Sequence, residues 1–443
     1  MKKHMKQVMI MGLAGALAVG LVGCGSASSS TTATADSTTN ASSKTGKPIE
    51  VTFWHGMSGQ LGDVLKNMVD EFNKTHPDIH VNAIYQGSYS GKGPLQQKLL
   101  AAIASGKVPD IVQLEIHSIP VFAASGALQS LDSYMAQSTD HKKSDFIQGL
   151  LKSTSYKGQT YGVPFNRSVP VFYYNDKMFK AAGITEAPKT WDDVAKDAKL
   201  LTKKENGKTT VYGFEPVNQW WFFESLVWSG GGQLMNQGLT QATFDTPAAE
   251  AGMKAWQQMK KDGVLTVQTG PKDWDQTIAD FTHGRAAMYV GSAGDMGQIE
   301  QSGMDFKASY VPMVKQYAVP TGGANAAILA KAPEAEKQAA WKFIEWFTAK
   351  EQTIHWSQKT GYMPVMKSAV DSQQMKDYFK QKPNHQVPVE ELQYAQEAPL
   401  SPAYLQVTQY IQDAMDKIMV ENANVDATLK DAVKKSNAAI SQN

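Results

Sequence analysis

The spacing of apolar and polar positions changes period repeatedly along the chain. Residues 49–54, Ile-Glu-Val-Thr-Phe-Trp, alternate as a strand does, whereas Leu61, Val64, Leu65, Met68, Val69 and Phe72 share one face at helical spacing. His76-Pro77-Asp78 stops that helix, and 79–84 read as a second strand. A helix over 95–105 ends at Gly106, and 109–114 form a third strand. The alternation continues with strands at 169–174, 211–214 and 286–290, and helices at 191–203, 248–261, 273–283 and 335–348. From Ala403 onward the pattern is helical. This alternation predicts an α/β fold of two lobes, each a mostly parallel sheet flanked by helices. Ligands of open α/β sheets sit beyond the carboxyl ends of the strands, so the polar and aromatic residues just after each strand become the candidates.

The N-terminal pattern is of another kind. Lys2, Lys3 and Lys6 precede an apolar run over 8–22, and Leu21-Val22-Gly23-Cys24 follows. The run is shorter than the roughly 20 residues a membrane-spanning helix needs. It predicts a lipoprotein signal peptide over 1–23, cut before Cys24, whose thiol takes the lipid. An export signal that merely contains a cysteine is the other reading. Cys24 is the sole cysteine, which removes disulfides, cysteine-ligated metals and cysteine nucleophiles from a lipidated chain. Residues 24–48 are rich in Ser, Thr and Ala and are expected to be a disordered tether. A formal net charge of +1 without basic blocks disfavours nucleic acid as a partner. The expected location is the outer face of a bacterial cytoplasmic membrane.

Common catalytic motifs are missing. Gly56-Met57-Ser58-Gly59 has the wrong spacing for a nucleophile elbow, and no zinc-protease, phosphate-loop or dinucleotide fingerprint occurs. Nine histidines are scattered, and Pro77 separates His76 from His80. No catalytic residue, metal or cofactor is expected. A surface-tethered hydrolase is kept as a remote alternative, since counting carboxylates does not place them in space.

Several stretches carry a resemblance. Phe53-Trp54-His55-Gly56, Tyr85-Gln86-Gly87-Ser88-Tyr89, Val112-Gln113-Leu114-Glu115, Pro164-Phe165-Asn166 and Gly361-Tyr362-Met363-Pro364 resemble the glycerol-3-phosphate-binding family of bacterial ABC importers. Phe281-x-x-Gly284-Arg285-Ala286-Ala287-Met288 and Pro188-Lys189-Thr190-Trp191 are similar to the wider sugar-type solute-binding proteins. The likeness runs from about 50 to 440 in order. It implies a two-lobed clamp with several interlobe crossings, the lobes being 49–172 with 291–357 and 173–290 with 358–443. It also implies a monomer that closes on a polyol phosphate or sugar and delivers it to a membrane permease.

Carried over position by position, the resemblance implies cleft contacts from Tyr89, Glu115, Ser168, Ser292, Gly323 and Tyr362, with Trp54 and Trp220 as an aromatic floor. Small residues around Ser292 are expected to expose backbone N–H groups to an anionic oxygen. The family's phosphate-binding arginine is absent; Gln406 stands there, and Arg285 is the last arginine. Arg167, one of only two arginines against 41 lysines, is therefore the candidate phosphate ligand. A glycerol 3-phosphate or glycerophosphodiester is the expected ligand, with a neutral oligosaccharide as the alternative.

Overall fold

The computed structural model describes residues 46–90, 93–139, 141–270 and 272–442. The segments expected to be a signal peptide and a tether, Cys24 included, therefore lie almost entirely outside the described residues. Two five-stranded sheets organise the remainder. Their strands, numbered in chain order, are β1 Ile49–His55, β2 Ile79–Tyr85, β3 Ile111–Glu115, β4 Val163–Ser168, β5 Pro170–Asn175, β6 Lys203–Glu205, β7 Lys208–Pro216, β8 Ala286–Ser292, β9 Phe306–Ser309 and β10 Gly322–Ile328. The first sheet has the order β2-β1-β3-β10-β4, and the second β9-β5-β8-β7-β6.

The expected α/β architecture is present, but the sheets are mixed rather than mostly parallel. Only β1–β2, β1–β3 and β7–β8 pair in parallel. In the first sheet β1, β2, β3 and β4 all end at one edge, and β10 alone runs back from it, antiparallel to both β3 and β4. In the second, β5 plays the same part between β9 and β8, and the short edge strand β6 also runs back, beside β7. The cause is the crossings. A strand entering from the other lobe starts at the edge where its neighbours finish, so one reversed strand in the middle makes two antiparallel ladders.

The crossings also move the lobe limits. Val169 alone joins β4 to β5, so the first crossing precedes residue 172. β9 pairs with β5 and stays in the second lobe, against the expected return at 291; the chain re-enters the first lobe at β10. Ser368 remains fixed to the first lobe by donating to Asp145 at 2.5 Å. The third crossing follows, and Asn384 is joined to β9 by bonds to Ala308 N (3.1 Å) and Phe306 O (3.2 Å).

Helix–sheet packing supplies the cores. Helix Gly59–Thr75 buries Leu65, Met68, Val69 and Phe72, the stripe its spacing predicts. Phe72 meets Phe343 edge-on at 5.1 Å, and Phe165 stacks on Phe347 at 4.6 Å. In the second lobe Trp191, Phe214 and Trp256 form a comparable set. Burying each such ring contributes roughly 1.5–3 kcal/mol. Thr190 caps helix Trp191–Leu201 with a reciprocal bond pair to Asp193.

Candidate functional site

The carboxyl ends of β1 to β4 face those of β7 to β9, and the polar residues of the chain converge there. Gly56, just after β1, donates its N–H to Gln113 Oε1 at 2.7 Å. Gln113 on β3 donates to Asn166 Oδ1 on β4 at 2.7 Å. Asn166 in turn donates to the Tyr89 hydroxyl at 3.0 Å. Tyr89 shares a further hydrogen bond with Tyr362. Burial pushes both phenols up, and the Glu115 and Asp295 carboxylates add to the rise at Tyr89. The Tyr362 ring stacks on Trp356 at 5.9 Å on one side. On the other it lies so close to Gly294 that a Cβ there would sit 2.5 Å from ring Cζ.

Ser168, at the end of β4, meets Ser292, at the end of β8, with 2.6 Å between hydroxyl oxygens. These two candidates therefore touch across the lobes. The turn after Ser292 differs from expectation. Ser292 N donates to Asp295 Oδ2 at 2.7 Å, Ala293 N to Ser168 Oγ at 3.0 Å, and Gly294 N to Ser292 Oγ at 3.0 Å. The N–H groups predicted to await an anion already have acceptors, and a carboxylate occupies the turn. Asp295 also accepts from Trp274 Nε1 at 3.0 Å and from the Tyr289 hydroxyl. Burial raises it to about 6.

A third group lies beyond β3. Glu115 closes that strand, and His117 follows it with Nδ1 3.9 Å from Glu115 Oε1. His117 Nε2 reaches within 4.0 Å of Glu224 Oε1 on helix Trp220–Ser229 of the other lobe. Trp220 stands edge-on to the His117 ring at 5.0 Å, and Tyr404 lies 5.1 Å away and donates its hydroxyl to Glu224. Glu115 and Trp220 thus come together through His117. Gln406 is half-buried one turn into helix Tyr404–Met419 and brings no charge. Trp54, half-buried, and Tyr89 both border the apolar cluster that contains Leu95, Leu99 and Leu114.

Arg167 departs most from expectation. Side chains alternate along β4, so Asn166 and Ser168 face the junction while Arg167 points the other way. Its guanidinium is fully buried. It donates to Gly322 O (2.9 Å), Leu150 O (2.8 Å), Ser153 Oγ (2.9 Å), Asn325 Oδ1 (3.2 Å) and Thr321 Oγ1 (3.2 Å). Burial brings it down to about 9, so it stays charged at neutral pH. All five acceptors are neutral protein groups, which corrects its assignment as a phosphate ligand. Gly323 sits opposite Arg167 in the β4–β10 register. Its φ of +86° and a Cβ position 1.8 Å from Asn166 O make glycine obligatory at this strand position.

Asn166, Gln113, His117, Glu224 and Asp295 complete the site, and sequence reasoning assigned none of them a contact. A signal existed for Glu224, the one ionisable residue in the mostly apolar and aromatic helix Trp220–Ser229.

Burial raises Glu224 to about 7, against 4.5 unperturbed. A carboxyl that ionises less readily when folded contributes stability that is full below its unfolded value and is lost as pH rises through its folded one. Urea midpoints should therefore fall between about pH 5 and 7, and Glu224→Gln should flatten that fall. An unchanged slope would mean that Glu224 ionises freely in the folded chain.

Known proteins share this fold and align with much of this sequence. The family model for bacterial extracellular solute-binding proteins matches residues 67–384. The sn-glycerol-3-phosphate-binding periplasmic protein UgpB of Yersinia pestis bv. Antiqua is 28% identical over 360 residues, covering 76% of this chain and 79% of its own. A maltotriose-binding protein of Pyrococcus abyssi is 26% identical over 395 residues, 86% of this chain and 80% of its own. The crystal structure of UgpB from Mycobacterium tuberculosis in complex with glycerophosphocholine superposes with a TM-score of 0.78 at 27% identity, covering 89% of this chain and 98% of that one. With two lobes meeting over a polar junction, and with the family match extending through both, this chain belongs to the bacterial extracellular solute-binding proteins.

Proposed function

We propose that the protein is the lipid-anchored binding component of an ABC importer, closing its lobes on a glycerophosphodiester and presenting it to the permease. The observation that carries this reading is the polar junction, where Tyr89, Asn166 and Glu115 of one lobe lie opposite Ser292, Asp295 and Glu224 of the other. Phenol, amide and hydroxyl groups suit the diol of a glycerol, and Trp220 and Trp54 offer flat apolar faces to its C–H groups. The similarity to two glycerol-phosphate-type binding proteins supports the same ligand class.

Between the two phosphate classes, charge decides. Glu115, Glu224 and Asp295 border the junction, and Arg167 spends its donors on protein acceptors. A dianionic monoester would meet acidic neighbours with no guanidinium facing it. A diester carries one negative charge fewer and is the better fit. A neutral oligosaccharide is the second reading, favoured by that same acidic border and by the absence of arginine at Gln406.

A thermal-shift panel tests this. Glycerophosphocholine at 100 times Kd should stabilise the protein by about 2.7 kcal/mol, with glycerol 3-phosphate weaker. Measurements after unfolding and refolding remove any co-purified solute. A shift with maltose or maltotriose alone would reject the glycerol reading. Turnover of any of these compounds by pure protein would reject a binding role.

A further inference from the structure

Among the described residues, neither nitrogen of His117 and not Oε2 of Glu224 has a hydrogen-bond partner, although the two residues are 2% and 0% exposed. A buried polar group left unpaired costs about 1–3 kcal/mol, so such atoms on both sides of a lobe junction need a reason. Other buried groups also lack partners, among them Oε2 of Glu215, the Ser225 hydroxyl, His385 and Oε2 of Glu391, but His117 and Glu224 face each other from opposite lobes. His117 also sits next to Glu115 and Trp220, two residues already placed in the cleft.

We propose that His117 and Glu224 form a second solute-binding pair, one from each lobe, that takes a hydroxyl group in the part of the ligand beyond its glycerol. This rests on reading the junction as the solute site. The gaps of 3.9 Å to Glu115 and 4.0 Å to Glu224 are too long for direct hydrogen bonds. One oxygen placed about 2.8 Å from both ends of either gap satisfies both, at an angle near 90°. A hydroxyl has the needed chemistry, accepting from an imidazole N–H while donating to a carboxylate. Tyr404 already donates to Oε1 of Glu224, the oxygen 4.0 Å from His117, which orients the carboxylate; a solute hydroxyl in that gap is the second donor to Oε1, and Oε2 stays open to a further one. Trp220 and Tyr404 shield the pair, so a headgroup that cannot exchange hydrogen bonds would leave both partners unpaired. The pair thereby selects diesters with hydroxylated headgroups over trimethylammonium ones.

Calorimetric titration of the full-length protein with glycerophosphoglycerol, glycerophosphocholine and glycerol 3-phosphate tests this. Wild type should prefer glycerophosphoglycerol to glycerophosphocholine by about tenfold, the worth of one hydrogen bond to a charged group. Glu224→Gln and His117→Phe should each reduce that ratio to about twofold or less, read as the ratio within each variant whatever its affinity for glycerophosphocholine; His117→Gln replaces His117→Phe if the latter does not fold. A purely structural role would lower stability without moving the ratio, and that result overturns the proposal. So does a wild type with no preference. If maltotriose binds and no glycerol compound does, the glycerol reading falls separately. The same variants are then titrated with maltotriose, where a loss smaller than about threefold overturns the pair itself.

Discussion

Arg167→Ala is expected to destabilise the protein by about 4 kcal/mol, at the upper end of what a single substitution costs. The guanidinium fastens β4 to β10 through Gly322 and Asn325, and both to Leu150 and Ser153. Its removal opens a cavity and leaves buried carbonyls without donors. Arg167→Lys should recover little, because an ammonium cannot span acceptors spread around a planar fork. Denaturant midpoints measure the loss. Affinity of the still-folded variant for glycerophosphocholine should stay within about threefold of wild type, since the guanidinium points away from the junction. A hundredfold loss of affinity at unchanged stability would instead put Arg167 on the ligand.

Gly294→Ala should act in the opposite way, on binding rather than on the fold. The backbone at Gly294 is not left-handed, so alanine is conformationally acceptable there. The difficulty is the Tyr362 ring, whose three nearest atoms would lie 2.5, 2.7 and 2.9 Å from the new methyl. Tyr362 is held to the first lobe, since Met363 N donates to Arg167 O at 3.0 Å. Gly294 follows β8 of the second. The clash therefore penalises only the arrangement with the lobes together. Overpacking of this kind costs about 1–3 kcal/mol, which against the closed form alone is about 5- to 150-fold in affinity. The ligand-free unfolding midpoint should stay near wild type, because the lobes can part. Undiminished affinity would show that ring and glycine do not meet in the solute-bound protein.

The contrast between these substitutions marks what the chain reveals without coordinates. Period alone placed the long amphipathic helices and the strands that follow them to within a few residues, as for Gly59–Thr75 and β2. It missed β10, because Gly322-Gly323-Ala324-Asn325-Ala326-Ala327 lacks the branched and aromatic residues that signal a strand. Small residues are required there, since a Cβ at Gly322 would meet the Trp221 ring at 2.1 Å. Tyr89 with Tyr362, and Ser168 with Ser292, were candidates from the sequence, and the structure brings each pair into contact. Arg167 was misread because it was put in place of the arginine missing at Gln406 without regard to its strand, which turns every second side chain away. His117 and Glu224 were hidden for a different reason: their meeting depends on two lobes coming together, which no local pattern records.

The reversed strand β10 sets the order in which this protein can acquire its structure. Glu115 at the end of β3 pairs with Ala324, so the first sheet keeps an open hydrogen-bonding edge until most of the polypeptide has been made. Contacts so distant in sequence form slowly, and an open edge invites wrong partners in the meantime. Neither half can be expressed as a single continuous fragment, and a nascent chain truncated before residue 322 should remain susceptible to protease.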